Sequence, residues 1–133
     1  GADVLTGSAG NDRFDFNAVT ESGALVAGAN VPAFAVRDLI NGFSGAGVAG
    51  GDLIDLENID AIPGGADTDF VFLGVIQNPF PAPTAAGALY LRNEGGETVV
   101  YGNIDGDIGP ELAIRINDGA TLASAYTAAD FDL

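Results

Sequence analysis

The stretch Gly1-Ala2-Asp3-Val4-Leu5-Thr6-Gly7-Ser8-Ala9-Gly10-Asn11-Asp12-Arg13-Phe14-Asp15-Phe16 repeats three residue types at a spacing of nine. Gly1 answers Gly10, Asp3 answers Asp12, and Leu5 answers Phe14. One full copy and half of another of a Gly-Gly-x-Gly-x-Asp-x-apolar-x nonapeptide are therefore present. Glycines let the backbone turn through conformations closed to other residues, so that carbonyl oxygens converge, and each aspartate adds a hard anionic oxygen for a hard cation. The apolar residue two places on sits in a strand of a few residues and points inward while its neighbours point out. The pattern predicts an all-β fold: a short parallel β-roll of calcium-binding turns.

Downstream, Asn17 to Val36 is a long Ala-, Gly- and Val-rich excursion from that scaffold. Asp38-Leu39-Ile40 with Gly42-Phe43-Ser44, then Gly51-Asp52-Leu53-Ile54-Asp55-Leu56, repeat the logic of the opening copy. Residues 1–56 thus read as roll, with the excursion at 17–36, and residues 57–133 as an antiparallel cap and tail of the same single module. Leu56 to Ala61 reads as one helical turn before Pro63-Gly64-Gly65, and Asp69 to Val75 as an apolar strand. Pro79, Pro81 and Pro83 forbid regular structure. Gly87 to Arg92 and Thr98 to Tyr101, joined by Asn93-Glu94-Gly95-Gly96-Glu97, read as an antiparallel hairpin. Leu112 to Ile116 alternates as a third strand, with Leu112, Ile114 and Ile116 on one face and Arg115 on the other. Such a lid covers the apolar core and free edge that the last turn of a roll would expose.

Nineteen acidic residues stand against four arginines, with no lysine or histidine, for a formal charge of −15 over 133 residues. That charge repels nucleic acid and anionic lipid and attracts divalent cations. Cysteine is absent, so neither disulfides nor thiol chemistry contributes. No apolar run approaches the length of a membrane span. The chain has no methionine and opens in mid-repeat, which reads as a piece of a longer precursor with upstream domains. Without histidine or cysteine there is no Ser-His-Asp triad, cysteine nucleophile or zinc site, which leaves only carboxylate chemistry by acid pairs such as Asp105 and Asp107; with no tryptophan and few polar aromatics to hold a sugar, the chain reads as non-enzymatic.

Gly10-Asn11-Asp12-Arg13-Phe14-Asp15-Phe16, Asp38-Leu39-Ile40, Gly51 to Leu56 with Ile59-Asp60-Ala61, Thr98-Val99-Val100, Asp105-Gly106-Asp107 and Ala129-Asp130-Phe131 carry a resemblance. In order and spacing they resemble the C-terminal region of serralysin-type RTX proteins, where the last hemolysin-type repeats meet a capping and secretion domain. The resemblance implies a secreted module of a Gram-negative bacterium, extracellular or at the cell surface, exported by type I secretion machinery and folded by Ca2+. The parent would be a serralysin-like metalloprotease or another RTX protein whose activity lies in a domain outside this chain. A calcium-dependent adhesin or ligand-binding module is the alternative, for which Tyr90, Tyr101 and Tyr126 are the only candidate platform.

Register and resemblance together imply the ligands. Two nonapeptides make one turn of a roll, so Asp3 and Asp12 do not share an ion; Asp38 closes the loop stacked on Asp3, and Asp52 the loop stacked on Asp12. Backbone oxygens near Gly1, Gly7, Ala9 and Asn11 complete the shells. Asn103, Asp105 and Asp107, with Glu111 a little further on, form an acidic loop that starts like an EF-hand, but Ile114 stands where its bidentate glutamate belongs. That loop reads as a tight turn or a small extra calcium site. Asp130, Phe131 and Leu133 resemble the acidic-then-apolar export signal of type I substrates, interrupted here by Asp132.

Overall fold

Each triplet centred on the residue two places after a repeat aspartate forms a strand. The computed structural model describes residues 1–22, 36–77, 85–107 and 109–133, and in it β1 (Val4–Thr6) and β2 (Arg13–Asp15) are followed by β3 (Leu39–Asn41) and β4 (Leu53–Asp55). The four alternate between two sheets. β1 pairs in parallel with β3, and β2 with β4, so each strand lies beside the next but one in the chain. The middle residue of each triplet turns inward: Phe14, Ile40 and Ile54 are buried, and Leu5 packs against them. These are the residues that the repeat places two positions after an aspartate.

The second half is mostly antiparallel. β6 (Ala88–Glu94) and β7 (Glu97–Asn103) form a hairpin, with Gly95 at φ 61° and Gly96 at φ 87° in the turn. Two successive positive φ values match the right-handed twist of the flanking strands and explain the Gly-Gly pair. β8 (Leu112–Asn117) pairs antiparallel with β7, burying Leu112, Ile114 and Ile116 and leaving Arg115 to hold Glu97 through two bonds of 2.8 Å. On the opposite face Tyr90, Val99, Tyr101 and Ala113 form a smaller buried cluster.

Three expectations are modified. The cap strands do not form a separate lid: β8 also pairs in parallel with β3, so one six-stranded sheet runs β1-β3-β8-β7-β6-β5, and β9 (Phe131–Asp132) extends the other as β2-β4-β9. The reason is the open edge of β3, whose neighbour Asp38 offers its carbonyl to Arg115 N at 2.9 Å. Nor is the cap wholly antiparallel, since β5 (Val71–Val75) runs parallel to β6, with a register shift between Phe72 and Val75 where Gly74 takes φ 76°. Leu56 to Ala61 holds one turn, Ile59 N donating to Leu56 O, and no helix; the Asp60 carboxylate draws Ile62 N and Thr68 N instead. Of the excursion at 17–36, a 3-10 turn (Val19–Glu21) and a fully buried Ser22 are described; its remainder at 23–35, and Pro79, Pro81 and Pro83, lie outside the described residues.

Both sheets feed one core. Phe14, Ile54 and Phe131 from the three-stranded sheet meet Ile40, Leu91 and Ile114 from the six-stranded one, and the rings of Phe72 and Phe131 lie 5.2 Å apart.

Candidate metal centres

The parallel register puts the repeat aspartates in pairs. Asp3 N donates to Asp38 Oδ1 at 2.7 Å, and Asp12 N to Asp52 Oδ1 at 2.9 Å. In the other direction Leu39 N and Leu53 N donate to the carbonyls of Asp3 and Asp12. Asp38 and Asp52 are buried, whereas Asp3 is exposed and Asp12 half-buried. Burial pushes the Asp38 carboxyl above its ordinary value, with a further push from the charge on Asp3.

Two of these carboxylates, Asp12 and Asp52, close the turns that precede them. Ser8 N donates to Asp12 Oδ2 at 2.7 Å, and Ser44 N to Asp52 Oδ2 at 2.8 Å. Gly7 lies at the same turn: a methyl group there would stand 3.1 Å from both Asp12 Oδ2 and the carbonyl of Gly42. Ala9 and Asn11 are exposed around that loop, and Gly1 is exposed at the start of the chain. Asp3, Asp12, Asp38 and Asp52 do not form a tight three-carboxylate group among the described residues.

Among the described residues two such groups exist, each with oxygen atoms within 4.8 Å of one another: Asp105, Asp107 and Glu111, and Asp55, Glu57 and Asp132. The first is organised by its own backbone. Asn103 Oδ1 accepts from Asp105 N, Asp105 Oδ1 from Asp107 N, and Asp107 Oδ1 from Gly109 N, a succession of tight turns each closed by a side-chain oxygen. Asn103 is buried and also donates to Asp107 O, so it serves as the staple of the loop. Glu111 Oε2 accepts from Ile104 N, while Glu111 Oε1 is buried with no hydrogen-bond partner. Burial raises the Glu111 carboxyl above its ordinary range, and the charges of Asp105 and Asp107 raise it further. An orphaned buried oxygen beside two more carboxylates is a donor set that suits a hard cation.

The second group already holds a cation. Arg13 bonds Asp55 through Nε and Nη2, reaches Asp132 through Nη1 at 2.8 Å, and lies 3.7 Å from Glu57. Those residues do not fit a metal while the guanidinium stands among them. Arg13 was absent from the sequence-derived candidates because its partners are far along the chain.

The tail is folded in. Asp130 is fully buried: its carboxylate accepts from Gly47 N at 2.8 and 2.9 Å and from Thr127 N at 2.6 Å, and Thr127 caps the short turn that Asp130 ends. Phe131 is buried beside Ile54, and Leu133 packs partly against the core. All three tyrosines are buried too, Tyr90 stacked on Tyr101 at 5.4 Å and Tyr126 bonded to Asp118 at 2.9 Å. None of them offers an exposed ligand platform.

Among the described residues no helix is long and apolar enough to cross a membrane. Compared with protein-family models and with curated proteins, the chain matches none.

Proposed function

We propose that this chain is a calcium-binding folding, capping and export module of an RTX protein: a short β-roll closed by the hairpin sheet, secreted by a type I system, with no catalysis of its own. One observation carries the reading. The two aspartates of the nonapeptides stack in parallel register on the two aspartates that follow, Asp3 on Asp38 and Asp12 on Asp52. Alternation of β1 to β4 between two sheets is the arrangement that a roll requires. Calcium would be held by Asp3 with Asp38 and by Asp12 with Asp52, helped by turn carbonyls, and separately by Asp105, Asp107 and Glu111. Bound there, it would supply charge neutralisation and fix the turns; the protein's own residues supply the oxygens and the core.

The reading couples to localisation. Where calcium is scarce, a chain of this acidity repels itself and stays loose, and its tail is open to an exporter; outside the cell the ion favours folding. Calcium at about a hundred times its dissociation constant would add about 2.7 kcal/mol per independent site. The test is thermal unfolding of the purified chain in chelator and in millimolar calcium, with magnesium as control. A rise specific to calcium is expected, and an unchanged melting temperature would overturn the proposal. The export half is tested by fusing the chain to a passenger beside a type I exporter: deletion of residues 129–133 should abolish secretion.

A further inference from the structure

The three-stranded sheet carries a row of acids. Its register sets Asp15 beside Asp55 and Asp55 beside Asp132, with parallel neighbours about 4.8 Å apart. Like charges directly opposite one another destabilise a sheet. Glu57 adds another carboxylate to the same cluster. Arg13 stands among them, joined to Asp55, Asp132 and Glu57. Its partners come from both sides of a short strand pairing: β9 is two residues long, Phe131 anchors it in the core, and Leu56 N donates to Asp132 O at 2.8 Å.

We infer that Arg13 is a fixed cation that does at this seat what a metal ion does elsewhere, cancelling the repulsion of Asp55, Glu57 and Asp132 and so latching the C-terminal strand onto the first turn of the fold. The planar guanidinium suits the task because it offers several N–H groups in a rigid fork and meets two carboxylates in different directions at once. A lysine ammonium is a point charge and serves one carboxylate well. The seat is distinct from the stacked aspartates and from the 103–111 loop, and its operation does not depend on whether those bind calcium.

The full-length chain provides the test through two amides read in one sample by NMR hydrogen exchange. Leu56 N, bonded to Asp132 O, reports β9; Leu53 N, bonded to Asp12 O, reports the β2–β4 pair. Their ratio cancels any general loosening of the early turns on chelation. In metal-free Arg13→Met the ratio of the Leu56 exchange rate to that of Leu53 should rise about two- to fivefold, the scale of an ion-pair contact at a half-exposed site. Arg13→Lys should fall between. Millimolar Mn2+, a cation suited to carboxylate oxygens, should bring the ratio in Arg13→Met to the value that wild type shows in the same Mn2+ solution, so that any binding at the Asp12 and Asp52 pair, common to both proteins, cancels. An unchanged ratio, or a rise that Mn2+ does not reverse, overturns the inference. If Arg13→Met fails to fold, Asp132→Asn decides: a raised ratio supports the latch and an unchanged one refutes it.

Discussion

Replacing Asp52 by asparagine exchanges one oxygen for an NH2 group and should cost far more than its size suggests. Asp52 is 1 % exposed, and its two carboxylate oxygens accept on opposite sides: Oδ1 from Asp12 N at 2.9 Å, Oδ2 from Ser44 N at 2.8 Å and from the Ser44 hydroxyl at 3.3 Å. An amide has one acceptor oxygen. Whichever way the introduced amide turned, its NH2 group would face a backbone N–H and leave that donor unmet. Bonds to a charged acceptor contribute about 1.5–3 kcal/mol each, and an unmet buried donor costs about 1–3 kcal/mol. Removing one charge from a protein of net −15 gives back about 1 kcal/mol at contact distance in water-like surroundings. The loss wins: Asp52→Asn should lower stability by about 2–3 kcal/mol and Asp52→Ala by about 3–5 kcal/mol. Urea unfolding in chelator measures it, because there the hydrogen bonds act alone. Asp52→Asn within about 0.5 kcal/mol of wild type would refute the reasoning, that being the usual scatter of surface changes. Repeating the series in calcium then shows how much further the variant falls when a proposed ligand is missing.

Three other outcomes follow from single sites. Gly47→Ala drives a methyl group into the carbonyl of Ala125 at a backbone φ of 74°, and should cost about 3 kcal/mol in the same urea assay and loosen the tail. Burial pushes the hydroxyl pKa of Tyr90, Tyr101 and Tyr126 above the ordinary tyrosine value, so their stabilising effect is complete below that ordinary value and is lost as pH climbs through the raised one; absorbance at 295 nm should show phenolate only as the protein unfolds. The Glu111 carboxyl is raised above 4.5, so its contribution is fully present below that pH and is lost as pH rises through the folded-state value; Glu111→Gln, which keeps an acceptor for Ile104 N, should gain on wild type at pH 7 relative to pH 4 in metal-free urea titrations, an advantage that calcium removes if the loop binds it.

The early strands were legible because the repeat fixes both their position and their inward residue. Leu5, Phe14, Ile40 and Ile54 each stand two places after a repeat aspartate, and that local rule needs no knowledge of the rest of the chain. The hairpin was legible for a similar reason, since Gly95-Gly96 states its turn in two residues. Pairing across distance was not. Nothing near Ile114 names Ile40 as the edge beside which β8 lies, because parallel partners carry the same apolar alternation as antiparallel ones. Asp52 and Asp55 look alike in sequence, yet one closes a turn and the other faces Arg13; strand alternation sends their side chains to opposite sides. Asp130 reads as part of an acidic tail and is fully buried, a fate set by the amide of Gly47, distant in the chain.

β8 explains how two kinds of sheet share one core. A strand that is parallel to one neighbour cannot be joined to it by a hairpin, so a fold that stacks β1 and β3 in parallel needs a long return before its edge is covered. Here the return is the whole hairpin unit, and β8 closes it by lying antiparallel to β7 and parallel to β3. Its inward residues Leu112, Ile114 and Ile116 serve both halves, Ile116 standing level with Ile40 on one side and Thr98 on the other. The smaller sheet is extended by the tail, with Phe131 level with Ile54. Each sheet that starts with a repeat strand is therefore covered on its growing edge by a later segment of the same chain, one through a six-residue strand with a deep apolar face and the other through a two-residue strand. The unequal lengths decide what must fasten each edge. β8 is fastened by the buried side chains of Leu112, Ile114 and Ile116 together with the Arg115–Glu97 pair, whereas β9 has one buried ring, and the carboxylates flanking that ring are met by the Gly47 amide on one side and Arg13 on the other.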